Sequence, residues 1–262
     1  MSTPVSTSVH PTAIVDPNVK IGEGVTIGPW SIVGPGCVIG DRTTLSARST
    51  LEKNVTLGRN VYVGIGCVLG GDPQDLKFRG EETYVEIGDD TVLREYVTIN
   101  RGTSHSITTR VGTGCFLMTN VHVAHDCQLG NQVIISNGTL LAGHVTVGDK
   151  VGISGNCAVH QFVRVGRFAY IGGVSKVTQD IPPFVRASGN PTTLFGLNSV
   201  GLERNGFSPE VRRELKRAYR MCFKSDLPLT QALKHAREEL EMIPEVEEFL
   251  SFIEDSQRGV GF

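Results

Sequence analysis

The chain has one tryptophan, and aromatic residues make up only 6% of it, so bulky ring layers cannot form its core. No apolar run approaches the roughly 18 residues of a spanning helix, which argues against a transmembrane segment. Neither sign of charge dominates. The formal net charge is -2 and the charged residues are interspersed, so the basic footprint of a nucleic-acid binder is missing and a charged partner must be met by a local patch. Met1 to His10 lacks the basic start and apolar centre of an export signal, and the expected location is the cytoplasm. CxxC pairs, the usual mark of a zinc site, are also absent.

What the chain does hold is a repeat. Every sixth residue from Val15 to Val177 is Ile, Leu or Val, with three exceptions at Asp75, Glu81 and His105. Gly often follows the aliphatic residue, as at 22, 28, 34, 40, 58, 64, 88, 112, 130 and 148, where the chain must turn or pass close to another backbone. Two residues before it lies a small or β-branched side chain such as Val25, Ser31, Thr43, Val55 or Thr139. A period of six is neither helical nor simple strand alternation. It describes a short strand and a turn, stacked so that each strand pairs with those above and below, which is a solenoid.

The pattern aliphatic-Gly-x-x-small-x resembles the hexapeptide-repeat family. The resemblance implies a left-handed parallel β-helix of three hexads per 18-residue coil, against the usual right-handed crossover rule. The expected architecture is this mainly β solenoid over residues 1–190, with loops at 71–84 and 101–109, and a small α-helical C-terminal domain over 191–262. Cys37, Cys67, Cys115, Cys127 and Cys157 all fall in the small-residue column. A stack of metal-binding or disulfide-bonded thiols is conceivable there, but plain core packing suits a reducing compartment better.

Both interruptions of the register are polar, GDPQDLKFRGEETY at 71–84 and RGTSHSITT at 101–109, and loops so placed commonly carry function. The repeat ends near Pro182 and Pro183, which cannot join a ladder. Beyond it, Ser208-Pro209-Glu210 opens one helix, Thr230 caps a second running to about Met242, and Pro244 starts a third ending near Ser256. Their apolar faces, Val211, Leu215, Ala218 and Cys222 with Leu229, Leu233 and Leu240, need the solenoid or another subunit to cover them.

His122, His125, His144 and His160 gather in the later coils. On an 18-residue coil His144 stacks on Asp126 and Gly143 on His125, which places several imidazoles and a carboxylate on one external patch, pointing outward. Such a patch suits two chemistries: a zinc site of the γ-class carbonic anhydrase kind, with ligands shared across subunits, or general-base acyl transfer. A non-catalytic scaffold is a third reading. The strings HVAHDC (122–127), AGHV (142–145), VHQF (159–162), GDPQDLKFRGE (71–81) and RASGNPTTLFGLNSVGLERNGFS (186–208) occur in that order. Together they resemble the UDP-N-acetylglucosamine 3-O-acyltransferases of lipid A synthesis over nearly the whole chain. The sister N-acyltransferases resemble it less, since they carry a uridine-binding domain before the repeats.

The resemblance implies transfer of an (R)-3-hydroxyacyl chain from acyl carrier protein to the 3-hydroxyl of UDP-N-acetylglucosamine, by a homotrimer with sites between subunits, without metal or other cofactor. By the same resemblance His125 is the general base, Asp126 orients it and Gly143 N–H receives the oxyanion. Asp75, Lys77, His122, His144, His160 and Gln161 correspond to substrate-binding positions, and Asn198 and Arg204 to residues near the nucleotide. A carboxylate found nearby in some relatives is Val200 here. Gly173, after Gly172 and two to three coils above His125, is expected at the far end of the acyl groove. Arg213, Arg217, Arg220 and Lys224, with Arg212 and Lys216, form a basic stripe suited to steering an acidic carrier protein.

Overall fold

A computed structural model describes residues 6–261; Met1 to Val5, half of the stretch read for an export signal, lie outside the described residues. Three-quarters of the molecule is the left-handed parallel β-helix that the hexapeptide pattern implies. Short strands wind through three flat faces of eleven, nine and eight strands. Face 1 begins at Ser8–Val9, face 2 at Ile14–Val15 and face 3 at Lys20–Ile21. Registers advance by one coil at a time, as in Ile14 opposite Ile32 and Ile32 opposite Thr50.

The hexad column explains the core. Ile27, Val33, Ile39, Leu45, Leu51 and Leu57 are almost wholly buried, and so are their counterparts up to Val177. Strand alternation sends the preceding residue of each pair outward. The small column fills the corners: Cys37, Cys67, Cys115, Cys127 and Cys157 are buried and unpaired. Several thiols reach the carbonyl of the next coil, as Cys115 does to Gly130 and Cys157 to Gly172, each at 3.2 Å. Core packing is therefore their role.

Most corners are four-residue turns whose third residue takes the left-handed conformation, for example Asn60 at φ 54° and Lys150 at φ 55°. Both interruptions leave from the same corner, between faces 2 and 3. Val68–Gly71 and Tyr84–Ile87 bracket the first loop, and Thr98–Asn100 and Thr108–Val111 the second. The two loops are tied together, because the Arg101 guanidinium pairs with Asp72 and donates to the Gly70 carbonyl, while Asn100 Nδ2 donates to the Asp72 carbonyl.

Val185–Ser188 still pairs in parallel with Tyr170–Ile171, and Thr193–Leu197 turns back against it as an antiparallel hairpin. Four helices follow: α1 (Ser199–Arg204), α2 (Pro209–Phe223), α3 (Leu229–Glu239) and α4 (Pro244–Glu254). Ser208 caps α2 as expected, its Oγ accepting from Val211 N. The expected Thr230 cap is not formed. Helix α3 starts two residues earlier, at Leu229 behind Pro228 and with no side-chain cap, and stops at Glu239 short of Met242. Helix α1 is too short for apolar periodicity to reveal, and is opened by Asn198. The apolar helix faces do find the solenoid: Leu215, Ala218, Cys222, Leu233 and Leu240 join one buried cluster with Val165, Ile171 and Val185, and at its rim Arg167 pairs with Glu248 at 2.6 Å and the Arg164 guanidinium lies over Phe252.

Candidate active site

Above the two loops, three successive turns of the same corner supply 124–127, 142–145 and 160–163, so Asp126, His144 and Phe162 stand in register one coil apart, with His125 over Gly143. Asp126, His144 and Phe162 occupy the left-handed position of these turns, at φ 61°, 63° and 63°. Identical backbone geometry aims their side chains alike and stacks them. The His144 and Phe162 rings lie parallel with centroids 4.3 Å apart.

The patch does not face open solvent as its outward direction would suggest. The second loop folds over it, leaving His125 only 9% exposed and Asp126 3%. Asp126 Oδ1 accepts from Thr103 N at 2.9 Å, Ser106 N at 3.2 Å and Ser106 Oγ at 2.5 Å, while Oδ2 accepts from Thr103 Oγ1 at 2.7 Å. His125 Nδ1 lies 2.8 Å from the same Oδ2. Burial alone would raise this carboxyl's pKa, but the bonds from His125, Ser106 and Thr103 outweigh it and hold Asp126 well below the usual carboxylate range. An ionised carboxylate only accepts, so His125 Nδ1 carries the proton and Nε2 presents a lone pair.

That ring rests on Gly143. A Cβ at 143 would come within 2.5 Å of His125 Cε1 and 2.7 Å of Nε2, so only glycine permits the imidazole to sit there. Gly143 is also the second residue of its turn, a place that Pro17 and Pro35 fill at the same corner lower down. Proline has no N–H, so the ladder needs none at this position, and among the described residues the Gly143 N–H makes no backbone hydrogen bond. Ring and amide open on a cleft of about 390 Å³ lined by Gln74, His122, Leu140, Ala158 and Gln161 among others. His122 is fixed by a 2.7 Å bond between Nδ1 and Thr98 Oγ1, and burial, reinforced by His125, lowers its pKa.

A second cleft, about 240 Å³, lies beside the first loop and is lined by Asp75, Lys77, Phe78, His105, His144 and Phe162. Burial, opposed by Asp126 and reinforced by His125 and His105, keeps His144 below the ordinary imidazole value. His105, Asp126 and His144 place metal-ligating atoms within 4.8 Å of one another. Five donors already converge on the roughly four lone-pair sites of Asp126, so this carboxylate has none to offer an ion.

Of the expected site residues, His122, His125, Gly143 and Gln161 meet at the first cleft, with Asp126 buried behind the His125 ring, and Asp75, Lys77 and His144 meet at the second. His160 is exposed on the same corner, its Nδ1 3.2 Å from Gln161 O. Gly173 is not brought to them. It follows a face 1 strand, so it turns the corner between faces 1 and 2, not the corner that carries His125. Asn198 is engaged locally, capping α1 and donating to Phe168 O at 3.0 Å. Arg204 ends α1 away from either cleft. In the basic stripe, Arg217 is paired with Glu214 at 2.8 Å and Arg212 with Glu203 at 3.6 Å, while Lys216 and Arg220 line a separate cleft with Arg186 and Phe195.

Sequence reasoning missed Thr103, Ser106 and Phe162. Phe162 was within reach, being one 18-residue step above His144. The loop residues were not, since nothing in the period says how a loop folds back.

Among known proteins, a family model described as UDP N-acetylglucosamine O-acyltransferase, domain 2, matches residues 180–261, and the bacterial transferase hexapeptide model matches residues 6–41 and 108–143. The acyl-[acyl-carrier-protein]–UDP-N-acetylglucosamine O-acyltransferase of Synechocystis is 44% identical over 196 residues, 75% of this chain and 71% of the relative. The chain belongs to the UDP-N-acetylglucosamine O-acyltransferase family. Solved members superpose closely. The acyltransferase of Bacteroides fragilis is 40% identical with a TM-score of 0.94, covering 96% of this chain and 99% of its own. That of Acinetobacter baumannii is 38% identical with the same TM-score, covering 97% and 99%. Membership makes the chain an acyltransferase.

Proposed function

We propose that this enzyme transfers an (R)-3-hydroxyacyl chain from acyl carrier protein to the 3-hydroxyl of UDP-N-acetylglucosamine, the first step of lipid A assembly, with His125 as general base. The observation that carries the reading is the alignment of Asp126, His125 and Gly143: an ionised carboxylate on Nδ1, a free Nε2, and an unclaimed backbone N–H beside it.

A sugar hydroxyl is a weak nucleophile near neutral pH, so attack on a thioester needs a proton acceptor. Imidazole suits this, with an unperturbed pKa of about 6.5. His125 Nε2 takes the proton as the sugar oxygen bonds to the thioester carbon. Gly143 N–H receives the negative charge that develops on the carbonyl oxygen. Collapse expels the carrier thiolate, which takes the proton from the imidazolium. Asp126 stabilises that imidazolium throughout. Asp75, Lys77, His144, His160 and Gln161 border the acceptor, and Lys216 and Arg220 offer positive charge to the acidic carrier.

A homotrimer completes this reading. Faces 1 and 2 present apolar side chains outward, including Tyr62, Ile134 and Tyr170 on one and Ile14, Ile32 and Leu140 on the other, while face 3 presents Lys20, Glu86, Arg110, Gln128 and Arg164. Two adjoining apolar faces suit threefold packing of face 1 against a neighbour's face 2. Leu76, 97% exposed at the tip of the first loop, gains a partner in the same way. No helix of the described residues is long and apolar enough to cross a membrane.

Mass spectrometry of the product from UDP-N-acetylglucosamine and a panel of 3-hydroxyacyl carrier proteins tests the reading. A singly acylated sugar nucleotide, with the ester on the 3-oxygen, is the expected product. Transfer only to an acceptor bearing an amine at that carbon, or none from any carrier thioester, would overturn it.

A further inference from the structure

The second loop contributes more than a cover. Thr103 and Ser106 direct both their amides and both their hydroxyls at Asp126, four bonds of 2.5 to 3.2 Å. Asp126 needs such an anchor because two imidazoles compete for it. Its Oδ2 lies 2.8 Å from His125 Nδ1 and 3.7 Å from His144 Nδ1. The latter nitrogen is buried and has no hydrogen-bond partner. A small rotation of the carboxylate would exchange one histidine for the other.

The loop bonds settle which partner is chosen. Ser106 and the Thr103 amide claim Oδ1, and the Thr103 hydroxyl claims one side of Oδ2, leaving the remaining lone pair of Oδ2 directed at His125. Nothing in acyl transfer requires these loop residues to touch substrate. Their effect passes through Asp126 to the tautomer and angle of the His125 ring, and a small misalignment of a base costs much of its benefit.

We propose that Ser106, assisted by Thr103, is a positioning residue for acyl transfer, clamping Asp126 so that it serves His125 and not His144. The inference rests on the reading of His125 as the base. Ser106→Ala should lower kcat about tenfold, a part of the roughly 10²–10⁴-fold that a general base contributes, with the acceptor KM within about twofold. Ser106→Thr, which keeps the hydroxyl, should restore most of the loss. In an Asp126→Asn background, Ser106→Ala should cost little more, because residues acting as one unit are not additive.

Thermal melting separates positioning from folding, since the loop lies outside the repeat core and the variant should melt within a few degrees of the parent. A folded Ser106→Ala protein with kcat within twofold of the parent, beside a crippled His125→Ala, would overturn the clamp and leave the base assignment standing. An equal tenfold loss in the Asp126→Asn background would also overturn it, placing Ser106's effect elsewhere. A near-normal kcat for His125→Ala would instead defeat the underlying reading.

Discussion

Two corners of the same β-helix share one backbone and do opposite things. At the corner between faces 3 and 1, glycine opens nearly every turn, and the polar side chains are spent on the coil below. Asp41 accepts from Glu23 N at 2.9 Å, Asp89 from Arg59 N at 2.8 Å and Asp149 from Asn131 N at 2.6 Å. At the corner between faces 2 and 3, the later turns open with Ala124, Ala142 and His160, and the polar groups look outward to one another and to two loops. The turn geometry is the same, with Lys150 at φ 55° and His144 at φ 63°. The repeat thus supplies a rigid frame at every corner, and chemistry enters where one corner stops satisfying its own polar groups.

The largest separation between the corners should come from one substitution made in both. Gly143→Ala would press a Cβ to 2.5 Å from the His125 ring, so the ring must move off its carboxylate and out of the cleft. We expect kcat to fall on the order of 10²-fold, the scale of losing base alignment, with the melting temperature within a few degrees of the parent because a side chain outside the repeat core yields rather than backbone. Gly112→Ala would instead press a Cβ to 2.4 Å from the Gly130 carbonyl oxygen. Backbone in a stacked coil cannot yield without loosening the ladder, so this variant should lose about 1–3 kcal/mol in denaturant unfolding and keep kcat per folded enzyme within about twofold. A reversal of the two outcomes would erase the distinction between the corners.

The smallest effect concerns the buried thiols. Burial pushes Cys67 up to about 11 and Cys127 and Cys222 up to about 12, so near pH 8 they stay protonated and poorly nucleophilic. A maleimide reagent should label none of these three in the native protein, with full labelling after denaturation; rapid native labelling of Cys127 would show that the catalytic corner opens.

Sequence and structure agree wherever the period of six applies. It gave the buried column from Ile27 to Val177, the place of five cysteines and the two loops, and the 18-residue coil that the family resemblance implies added the stacking of His144 on Asp126. It failed where geometry is not periodic. The roof that Thr103 and Ser106 place over Asp126 depends on how an irregular loop folds back. The corner on which Gly173 turns required knowing the face of its strand. Helix α1 rests on one cap, and Thr230 lost its expected role because Pro228, already extended, begins α3 without a side-chain bond. The pairing of Arg217 with Glu214 lies one helical turn apart and was available in the sequence.

His125 stands at the point where the frame and the chemistry meet, and one measurement decides between them. Turnover of purified His125→Ala with UDP-N-acetylglucosamine and a 3-hydroxyacyl carrier protein, taken with its melting temperature, should show kcat reduced about 10²–10⁴-fold in a protein that melts within a few degrees of the parent. A folded His125→Ala enzyme with near-parental kcat would mean that the proton leaves by another route and that this corner is not where acyl transfer occurs.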